Sequence, residues 1–376
     1  MINYGPFKSF IFTVLICIIF FAFLEIVSRV CFGDIYDKEG EYRLYSRFLP
    51  EHEGFIEDKY LFWKFKPNWR GERLGVSWNS NSFGLRDEEF LMQKPPDTFR
   101  ILSLGESGTF GTNVEPEETY SKQLETLLNN HRKKSKLRFQ VINAGMPSYT
   151  SFQGLIYLKR YGLKFQPDLI MIYFHSSDAL PAYFVRTHED KGFMDLFDYR
   201  LVGPGITDRE SYIRRCYLSG LLSLLNKSVF YKAFSGYVLQ AKYYIYTMKN
   251  KDKLNSQKKG DYEIFFTKQR VPEEDRRWIF SNFISLAKRN SIKLLILIPP
   301  YVQYGYPDGY NSFPWIMPDD DVHILDLGTA FKDSGYSREQ FFAEGDDAHP
   351  TVLGHKIEAE AIYNYLIDRV CGYEFQ

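Results

Sequence analysis

Residues 100–111 read Arg-Ile-Leu-Ser-Leu-Gly-Glu-Ser-Gly-Thr-Phe-Gly. The first five form a mainly apolar run, which is typical of a buried strand in a parallel sheet. The glycine-rich turn that follows contains one serine, Ser107, and the carboxyl edge of an open α/β sheet is where ligands bind. Glycine adopts backbone angles that other residues resist, so such a turn can present a hydroxyl and amide hydrogens to a substrate. Taken alone, this turn is equally compatible with an ordinary strand-to-helix connection.

A second motif lies near the C-terminus, where residues 346–351 read Asp-Asp-Ala-His-Pro-Thr. An aspartate three residues before a histidine can hold the imidazole in one tautomer, and the histidine can then take a proton from a serine. The spacing selects Asp346 rather than the adjacent Asp347 as the partner of His349.

Together, the strand-Gly-Glu-Ser motif and the Asp-x-x-His-Pro motif resemble the SGNH (GDSL-like) hydrolase superfamily of esterases and acyl-transferring enzymes. The resemblance covers about residues 97–370. It implies a three-layer α/β/α fold around a doubly wound, flavodoxin-like parallel sheet. It also implies ester cleavage without a cofactor or metal, with Ser107 as nucleophile, His349 as base and Asp346 as the residue that orients the base.

The resemblance further implies an oxyanion hole that comprises Ser107, Gly145 and residue 177. The family's Gly-Asp-Ser is Gly-Glu-Ser here, which preserves the charge. The family's Gly-x-Asn-Asp is His-Ser-Ser-Asp at residues 175–178, so Ser177 stands where an asparagine is expected. A serine hydroxyl is shorter than an asparagine amide and must be oriented to donate. His175 is interpreted as an ordinary strand-end residue, with a steric block and a substrate contact as alternatives.

Strands and helices alternate along most of the chain, which favours a parallel, doubly wound sheet. The predicted strands cover residues 100–104, 137–144, 168–174, 292–298 and 322–327. The predicted helices cover residues 117–134, 151–163, 272–290 and 351–370.

Two segments fall outside this alternation. Residues 33–98 carry turn signals, and by resemblance they form an extension that packs on the hydrolase-like domain, residues 99–376. Within the extension, Arg86 is predicted to form a structural ion pair, and an anionic substrate group is the alternative partner. Residues 185–262 are predicted to be a helical insertion packed over the domain. A lid over the active site or a surface that touches the bilayer is the alternative.

The N-terminus predicts a membrane anchor over residues 10–32, preceded by a short arm, residues 1–9. Phe10–Leu24 would span about 22 Å as a helix, and continuation to Phe32 supplies the length that a bilayer core of about 30 Å requires. Glu25 and Arg29 stand four residues apart and can form an ion pair. Because no cleavage site follows, an uncleaved anchor with the large domain outside the cytoplasm is favoured over a cleaved signal peptide or a buried helix.

Composition adds few constraints. Lys+Arg 47 against Asp+Glu 47 gives no net charge, so nothing indicates nucleic acid as a partner. The aromatic fraction of 18% predicts a substantial core. The 4 cysteines show neither metal-ligand spacing nor a disulfide framework. The acidic cluster at residues 319–321, with His323, lies in a proline-rich turn and is interpreted as solvated carboxylates rather than a metal site.

These patterns predict a membrane-anchored serine esterase whose partners are the membrane and a small-molecule, O-acyl glycan or lipid-like ester. One alternative is an O-acyltransferase that uses the same three residues to acylate an extracytoplasmic glycan. The other is a binding module that keeps the fold without catalysis.

Overall fold

The structure is a computed structural model of the chain. It describes residues 5–36, 54–58, 60–131, 137–174, 176–179, 183–187, 194–198, 228–231, 234, 245, 248, 262–263, 271, 273–300, 313–342 and 349–370. Asp346, Asp347 and His175 lie outside these residues, as does most of the predicted insertion.

The strands and helices of the described residues are as follows. The strands are β1 (Phe55–Asp58), β2 (Phe62–Phe65), β3 (Glu72–Arg73), β4 (Val76–Ser77), β5 (Thr98–Gly105), β6 (Arg138–Gly145), β7 (Leu169–Tyr173), β8 (Tyr183–Thr187), β9 (Met194–Asp198), β10 (Tyr262–Glu263), β11 (Lys293–Ile298) and β12 (Val322–Asp326). The helices are α1 (Gly5–Tyr36), α2 (Ser107–Phe110), α3 (Tyr120–His131), α4 (Ser151–Arg160), α5 (Ser176–Ala179), α6 (Glu273–Arg289), α7 (Leu327–Asp333), α8 (Arg338–Phe341) and α9 (Val352–Tyr365). Single turns of 3₁₀-helix at Pro116–Glu118 and Gly162–Phe165, and a π-helical turn at Leu366–Val370, flank α3, α4 and α9.

The central sheet has five strands in the order β6-β5-β7-β11-β12, and every neighbouring pair is parallel. In chain order this is the 2-1-3-4-5 arrangement of doubly wound sheets, and its topological switch point lies between β5 and β7. The predicted fold class is confirmed, and each of the five predicted strands overlaps an observed one. Ligands bind outside the carboxyl ends of the strands at such a switch point.

Both faces of the sheet are buried. Successive side chains of a strand point to opposite faces, so each strand contributes residues to two cores. On β5, Leu102 and Leu104 join one core with residues of α4 and α6. Phe99 and Ile101, on the other face, join a second core with residues of α3 and α9. The strands therefore read as continuous apolar runs, as expected of a sheet covered by helices on both sides.

The described part of the N-terminal extension packs against the short helix α2. The rings of Phe65 and Trp78 lie with their centroids 5.7 and 4.8 Å from that of Phe110, the last residue of α2. Trp78 also donates a hydrogen bond from its indole to the carbonyl of Thr112, at 3.3 Å. The extension thus packs against the turn that carries Ser107. The domain boundaries stay a prediction.

The predicted insertion contains strands as well as helix in its described part. Residues 229–231, 234, 245 and 248 are helical. The strands β8, β9 and β10 form a separate antiparallel sheet in the order β10-β8-β9. The sequence of β8, Tyr-Phe-Val-Arg-Thr, is rich in the aromatic and β-branched residues that suit a pleated surface, which accounts for strand structure there.

Helix α1 contains one apolar segment, Phe10–Cys31, of 22 residues with a mean hydropathy of 2.9. Its side chains are exposed apart from Leu24, Glu25 and Ser28. At 1.5 Å per residue it is about 33 Å long, which matches a bilayer core of about 30 Å. It is the one helix of the described residues that is long and apolar enough to cross a membrane, and a signal sequence has the same properties. The predicted ion pair is present, with Arg29 Nε 2.9 Å from Glu25 Oε1.

Candidate active site

Ser107 is the first residue of α2 and follows the carboxyl end of β5 by two positions. The preceding residue, Glu106, keeps an extended backbone, so the chain turns sharply at the serine. Position 105 has no room for a side chain, because a Cβ there would lie 1.9 Å from Thr109 Oγ1 and 2.9 Å from the carbonyl oxygen of Tyr173. Gly111 ends the turn with φ of +76°, a left-handed conformation that glycine adopts without strain. Ser107 itself is only partly buried.

His349 lies just before α9, next to the open side of that turn. Its position is fixed by the residues that follow it: Pro350 forms a bridge with Phe342, and the Thr351 N–H donates to the carbonyl of Phe341 at 2.7 Å. Thr351 then caps α9 by accepting from the Gly354 N–H. As a result, His349 Nε2 lies 2.8 Å from Ser107 Oγ. Residues 242 positions apart in the chain thus lie within hydrogen-bond distance, which is the geometry that acyl transfer requires of a nucleophile and its base.

Asp346 and Asp347 lie outside the described residues, so the group that orients His349 stays a prediction. With Nε2 facing the serine, the orienting carboxylate would have to act on Nδ1–H.

Glu106 connects the turn to the loop after β7. Its side chain is 3% exposed, and Oε2 accepts the Ser177 N–H at 2.7 Å. The carboxylate thereby holds the ends of β5 and β7 together across the switch point. The acid that precedes Ser107 therefore has a structural, supporting role here.

The three predicted oxyanion groups have different surroundings. The Ser107 N–H, at the first position of α2, has no intrahelical acceptor. The Gly145 N–H donates to Asn143 Oδ1 at 3.0 Å, so it is engaged in this structure. Ser177 is 4% exposed, and its N–H is taken by Glu106, so only its hydroxyl remains to donate. The oxyanion roles of the three residues remain predictions.

Gly145 also makes the closest backbone approach in the site. A Cβ at this position would lie 2.3 Å from the Phe110 nitrogen and 2.6 Å from the Thr109 carbonyl carbon. The neighbouring Asn143 spans the same gap, because its Nδ2 donates to the Thr109 carbonyl at 2.8 Å. Its own N–H donates to Asp87 Oδ2 at 2.8 Å, which links the site to the N-terminal extension.

Arg86 has a structural role that differs from both sequence interpretations. It is 1% exposed, and its guanidinium donates to the backbone carbonyls of Ser77, Phe110, Gly111 and Val114. Burial lowers the pKa of Arg86 to about 10, against the opposing charges of nearby glutamates. The residue holds the end of α2 through main-chain oxygens. Among the described residues no carboxylate pairs with it directly, and its burial leaves no open surface for a substrate.

A buried polar network behind the turn was not predicted from the sequence. The Tyr120 hydroxyl lies 2.7 Å from Ser103 Oγ and 3.0 Å from Thr109 Oγ1. The Tyr120 N–H donates to His355 Nδ1, which lies 3.3 Å from Glu358 Oε2. The sequence does contain one sign of this network, the His355-x-x-Glu358 spacing that places both residues on one helical face. That spacing does not identify their partners on other helices and strands.

Asp178 lies beside this site and is fully buried. Burial raises the pKa of Asp178 to about 6, although its Oδ1 accepts the Ser151 N–H at 2.7 Å and Arg276 lies close enough to favour the charge. It ties the loop after β7 to the start of α4.

Among the described residues, no group of three or more His, Cys, Asp or Glu side chains could hold a metal ion. In the acidic cluster, Asp319 pairs with Lys288 and accepts the N–H groups of Asp321 and Val322. His323 Nε2 lies 3.2 Å from the Asp320 carbonyl. These contacts account for the cluster as turn structure.

No protein-family model and no curated protein sequence matches this chain. Solved structures do. A putative lipolytic protein of the G-D-S-L family from Desulfitobacterium hafniense is 14% identical over 70% of this chain and 98% of its own, with a TM-score of 0.38. A lipase/acylhydrolase from Enterococcus faecalis is 15% identical over 72% and 96%, also with a TM-score of 0.38. An acetyl xylan esterase from Geobacillus stearothermophilus is 12% identical over 71% and 93%, with a TM-score of 0.37.

These three structural neighbours are lipolytic proteins or esterases. At such low identities and TM-scores they specify neither residues nor substrate, so the chemistry of this site is argued from its own contacts.

Proposed function

We propose that this protein is a membrane-anchored serine esterase. In this proposal, Ser107 attacks the carbonyl carbon of an O-acyl ester, His349 takes the serine proton through Nε2, and Asp346 orients the imidazole. The observation that carries the proposal is the 2.8 Å contact between His349 Nε2 and Ser107 Oγ. That distance is within the range over which a base removes the proton of a nucleophile.

The same contact supplies both halves of the reaction. His349 first receives the serine proton and then gives it to the departing alcohol, which leaves an acyl group on Ser107. A water molecule, deprotonated by the same nitrogen, releases the acid and restores the serine. The Ser107 N–H supports the negative charge that develops on the substrate oxygen in both steps.

The substrate class follows from location. If Phe10–Cys31 crosses the bilayer and the large domain lies outside the cytoplasm, the site is adjacent to the membrane surface, where lipid esters and O-acylated glycans are available. An O-acyltransferase would use the same acyl-serine but would pass the acyl group to a sugar hydroxyl. Release of free acid and acylation of an added glycan are separate products, so one assay distinguishes the two.

The test is labelling of the detergent-solubilised full chain with a serine-directed fluorophosphonate, with the modified residue mapped by peptide mass spectrometry. We expect modification of Ser107, and we expect Ser107→Ala to lose both labelling and hydrolysis of an aryl acetate. Ser82→Ala is the matched control, because Ser82 is exposed and its hydroxyl pairs with Glu89. Equal hydrolysis by wild type and Ser107→Ala would refute the proposal.

Membrane anchoring is tested separately. We expect the chain to stay in the membrane fraction without cleavage, and the large domain to be accessible to protease added to intact cells. A mature protein that begins after about residue 30 and is soluble without detergent would show a cleaved signal sequence instead.

A further inference from the structure

The connection from β6 to α4 contains one residue with an uncommon backbone conformation. Ser148 has φ of +62°, in the left-handed region that glycine enters without strain and most other residues avoid. The Tyr149 N–H donates to the Met146 carbonyl at 3.1 Å, so residues 146–149 form a β-turn with Pro147 and Ser148 at its centre. Proline followed by a residue of positive φ is the pattern of a type II turn, whose second central position favours glycine. A serine at this position is strained.

The location of Ser148 distinguishes it from the other non-glycine residues of positive φ in the described part of the chain. Those residues are Asn68, Leu74, Asp97, Gln166 and Ser291. The first two lie in the N-terminal extension, and the last three precede strands of the central sheet, at its amino edge. Gln166 and Ser291 each follow a helical segment, and a left-handed residue is a common way to end a helix. Ser148 instead follows a strand at the carboxyl edge, where ligands bind.

Ser148 is also the one residue of this connection that is not buried. From Val141 to Leu155 every residue is buried except Ser148, which is partly exposed. Met146 and Tyr149, at the two ends of the turn, are each 2% exposed. The turn therefore presents a single side chain at the carboxyl edge of the sheet.

The N-terminal extension holds this turn in place. The indole of Trp63, in β2, donates to the Pro147 carbonyl at 3.3 Å, and the Tyr149 hydroxyl donates to the Trp63 carbonyl at 2.6 Å. The rings of Trp63 and Tyr149 pack edge to face with their centroids 5.5 Å apart. Strained conformations persist only where surrounding contacts enforce them, and they cluster at sites that bind ligands. These contacts account for the persistence of the strain but not for the choice of serine over glycine.

This turn adjoins the turn that carries Ser107. Gly105 and Gly145 are paired across β5 and β6, and the Met146 N–H donates to the Gly105 carbonyl at 3.1 Å. Ser107 lies two residues beyond this pair and Ser148 lies three residues beyond it. The two serines therefore leave neighbouring parallel strands at the same edge, and a substrate bound at Ser107 extends past the turn of Ser148.

We propose that Ser148 is a substrate-binding residue whose hydroxyl forms a hydrogen bond with a hydroxyl-bearing alcohol part of the ester. Glycine would fit the turn without strain, so what serine adds is a side chain, and its polar group is a hydroxyl. A sugar carries hydroxyls beside its ester and a hydrocarbon chain carries none, so the contact selects an O-acylated glycan over a lipid-like ester. The proposal rests on the esterase function proposed above and names the substrate class of that site.

The test compares two substrates on the detergent-solubilised full chain. An aryl acetate has no hydroxyl, whereas a mono-O-acetylated methyl glycoside keeps free hydroxyls beside its ester. Ser148→Ala removes the hydroxyl and keeps Cβ. We expect it to lower kcat/KM for the glycoside by about three- to tenfold, as for one lost hydrogen bond, mainly through a higher KM. The aryl acetate should stay within about twofold of wild type.

Two further variants separate the hydroxyl from the backbone strain. Ser148→Gly removes both, so it should show the same loss on the glycoside while unfolding at or slightly above the wild-type temperature. Ser148→Asn should recover part of the glycoside activity, because asparagine tolerates the left-handed conformation and supplies hydrogen-bonding groups.

Ser291 provides the matched control. It is also a serine of positive φ, +54°, but it is exposed and lies at the amino edge of the sheet. Ser291→Ala and Ser291→Gly should leave the kinetics on both substrates unchanged. A loss on the glycoside equal to that of the Ser148 variants would show a general effect of strain and would overturn the proposal.

The outcomes for the two substrates decide the proposal. Equal losses on both in Ser148→Ala would show that the turn only supports the site, and kinetics within twofold of wild type on both would show no contact at all. Either result overturns substrate binding by Ser148. Hydrolysis of the aryl acetate but not of the acetylated glycoside by wild type would overturn the substrate class. Full activity of Ser107→Ala is a separate failure, because it refutes the esterase function and this proposal with it.

Discussion

His349 and His355 are six residues apart, and the structure gives them different surroundings. His349 is partly buried and faces Ser107 Oγ across 2.8 Å. His355 is 1% exposed, and its Nδ1 lies 3.3 Å from both the Tyr120 nitrogen and Glu358 Oε2. A histidine next to an accessible hydroxyl can exchange a proton with a substrate. A histidine enclosed by protein groups can only hold those groups together, so burial rather than sequence position separates the two roles.

The same division applies to the turn that carries Ser107. Its open side carries Ser107 and faces His349, while its buried side is held by Arg86, through carbonyls, and by Tyr120, through Thr109. We expect substitutions on the open side to change turnover without changing stability, and substitutions on the buried side to do the reverse.

The largest effect is expected from His349→Leu. Without the base, ester turnover should fall by about 10⁴- to 10⁶-fold, nearly as far as for Ser107→Ala, because members of a triad act as a unit. The midpoint of thermal unfolding should stay at the wild-type value, since His349 is partly exposed. Activity within tenfold of wild type would remove His349 from the mechanism.

Arg86→Met should cause the largest loss of stability. It leaves buried carbonyls without a donor, and each such group costs about 1–3 kcal/mol, so we expect the free energy of unfolding to fall by more than about 3 kcal/mol. Arg86→Lys should recover part of it, since an ammonium cannot reach all the carbonyls of a planar fork. Chemical denaturation measures both variants.

Arg70→Met is the matched control for Arg86. Arg70 also donates to backbone carbonyls, those of Trp69 and Ser80, but from an exposed position. Its loss should be within about 0.5 kcal/mol. Equal losses for Arg86→Met and Arg70→Met would show that burial of the clamp contributes nothing.

His355→Leu is the buried counterpart of His349→Leu. It leaves the buried Tyr120 N–H without its acceptor, which should cost about 1–3 kcal/mol. Turnover per folded molecule should stay within a few-fold of wild type. If instead His355→Leu abolishes turnover at full stability, the distinction between the two histidines is wrong.

The sequence was sufficient for features carried by local patterns. Apolar runs located the five strands of the sheet, and two short motifs identified Ser107 and His349 as residues that lie close to each other. It was insufficient for contacts between distant segments. Three such contacts depend on backbone geometry that no local pattern encodes. The Ser228 hydroxyl donates to Glu25, the Ser177 N–H donates to Glu106, and the Gly145 N–H donates to Asn143. Arg86 was misassigned for the same reason, because its partners are main-chain oxygens, which every residue possesses.

The smallest expected effect concerns Ser177. In this structure the Gly145 N–H is engaged by Asn143 and the Ser177 N–H by Glu106. The Ser107 N–H and the Ser177 hydroxyl are then the remaining predicted donors for an oxyanion. A hydroxyl can rotate its hydrogen away and act as an acceptor, whereas the amide of an asparagine keeps its donors fixed. The site is therefore expected to stabilise the transition state weakly and to act slowly on simple esters.

Ser177→Asn should raise kcat on an activated ester by about tenfold, below the 10²–10³-fold that one well-aligned donor contributes. Ser177→Ala should lower kcat by a few-fold, and both variants should unfold like wild type because the Ser177 N–H bond to Glu106 is a main-chain contact. An increase in kcat at constant KM would indicate a donor that acts mainly in the transition state. If Ser177→Ala matches wild type and Ser177→Asn gives no gain, the side chain at this position does not contribute to the oxyanion hole. The Gly145 N–H, released from Asn143 when substrate binds, would then be the second donor, and Asn143→Ala would be expected to raise kcat by freeing it.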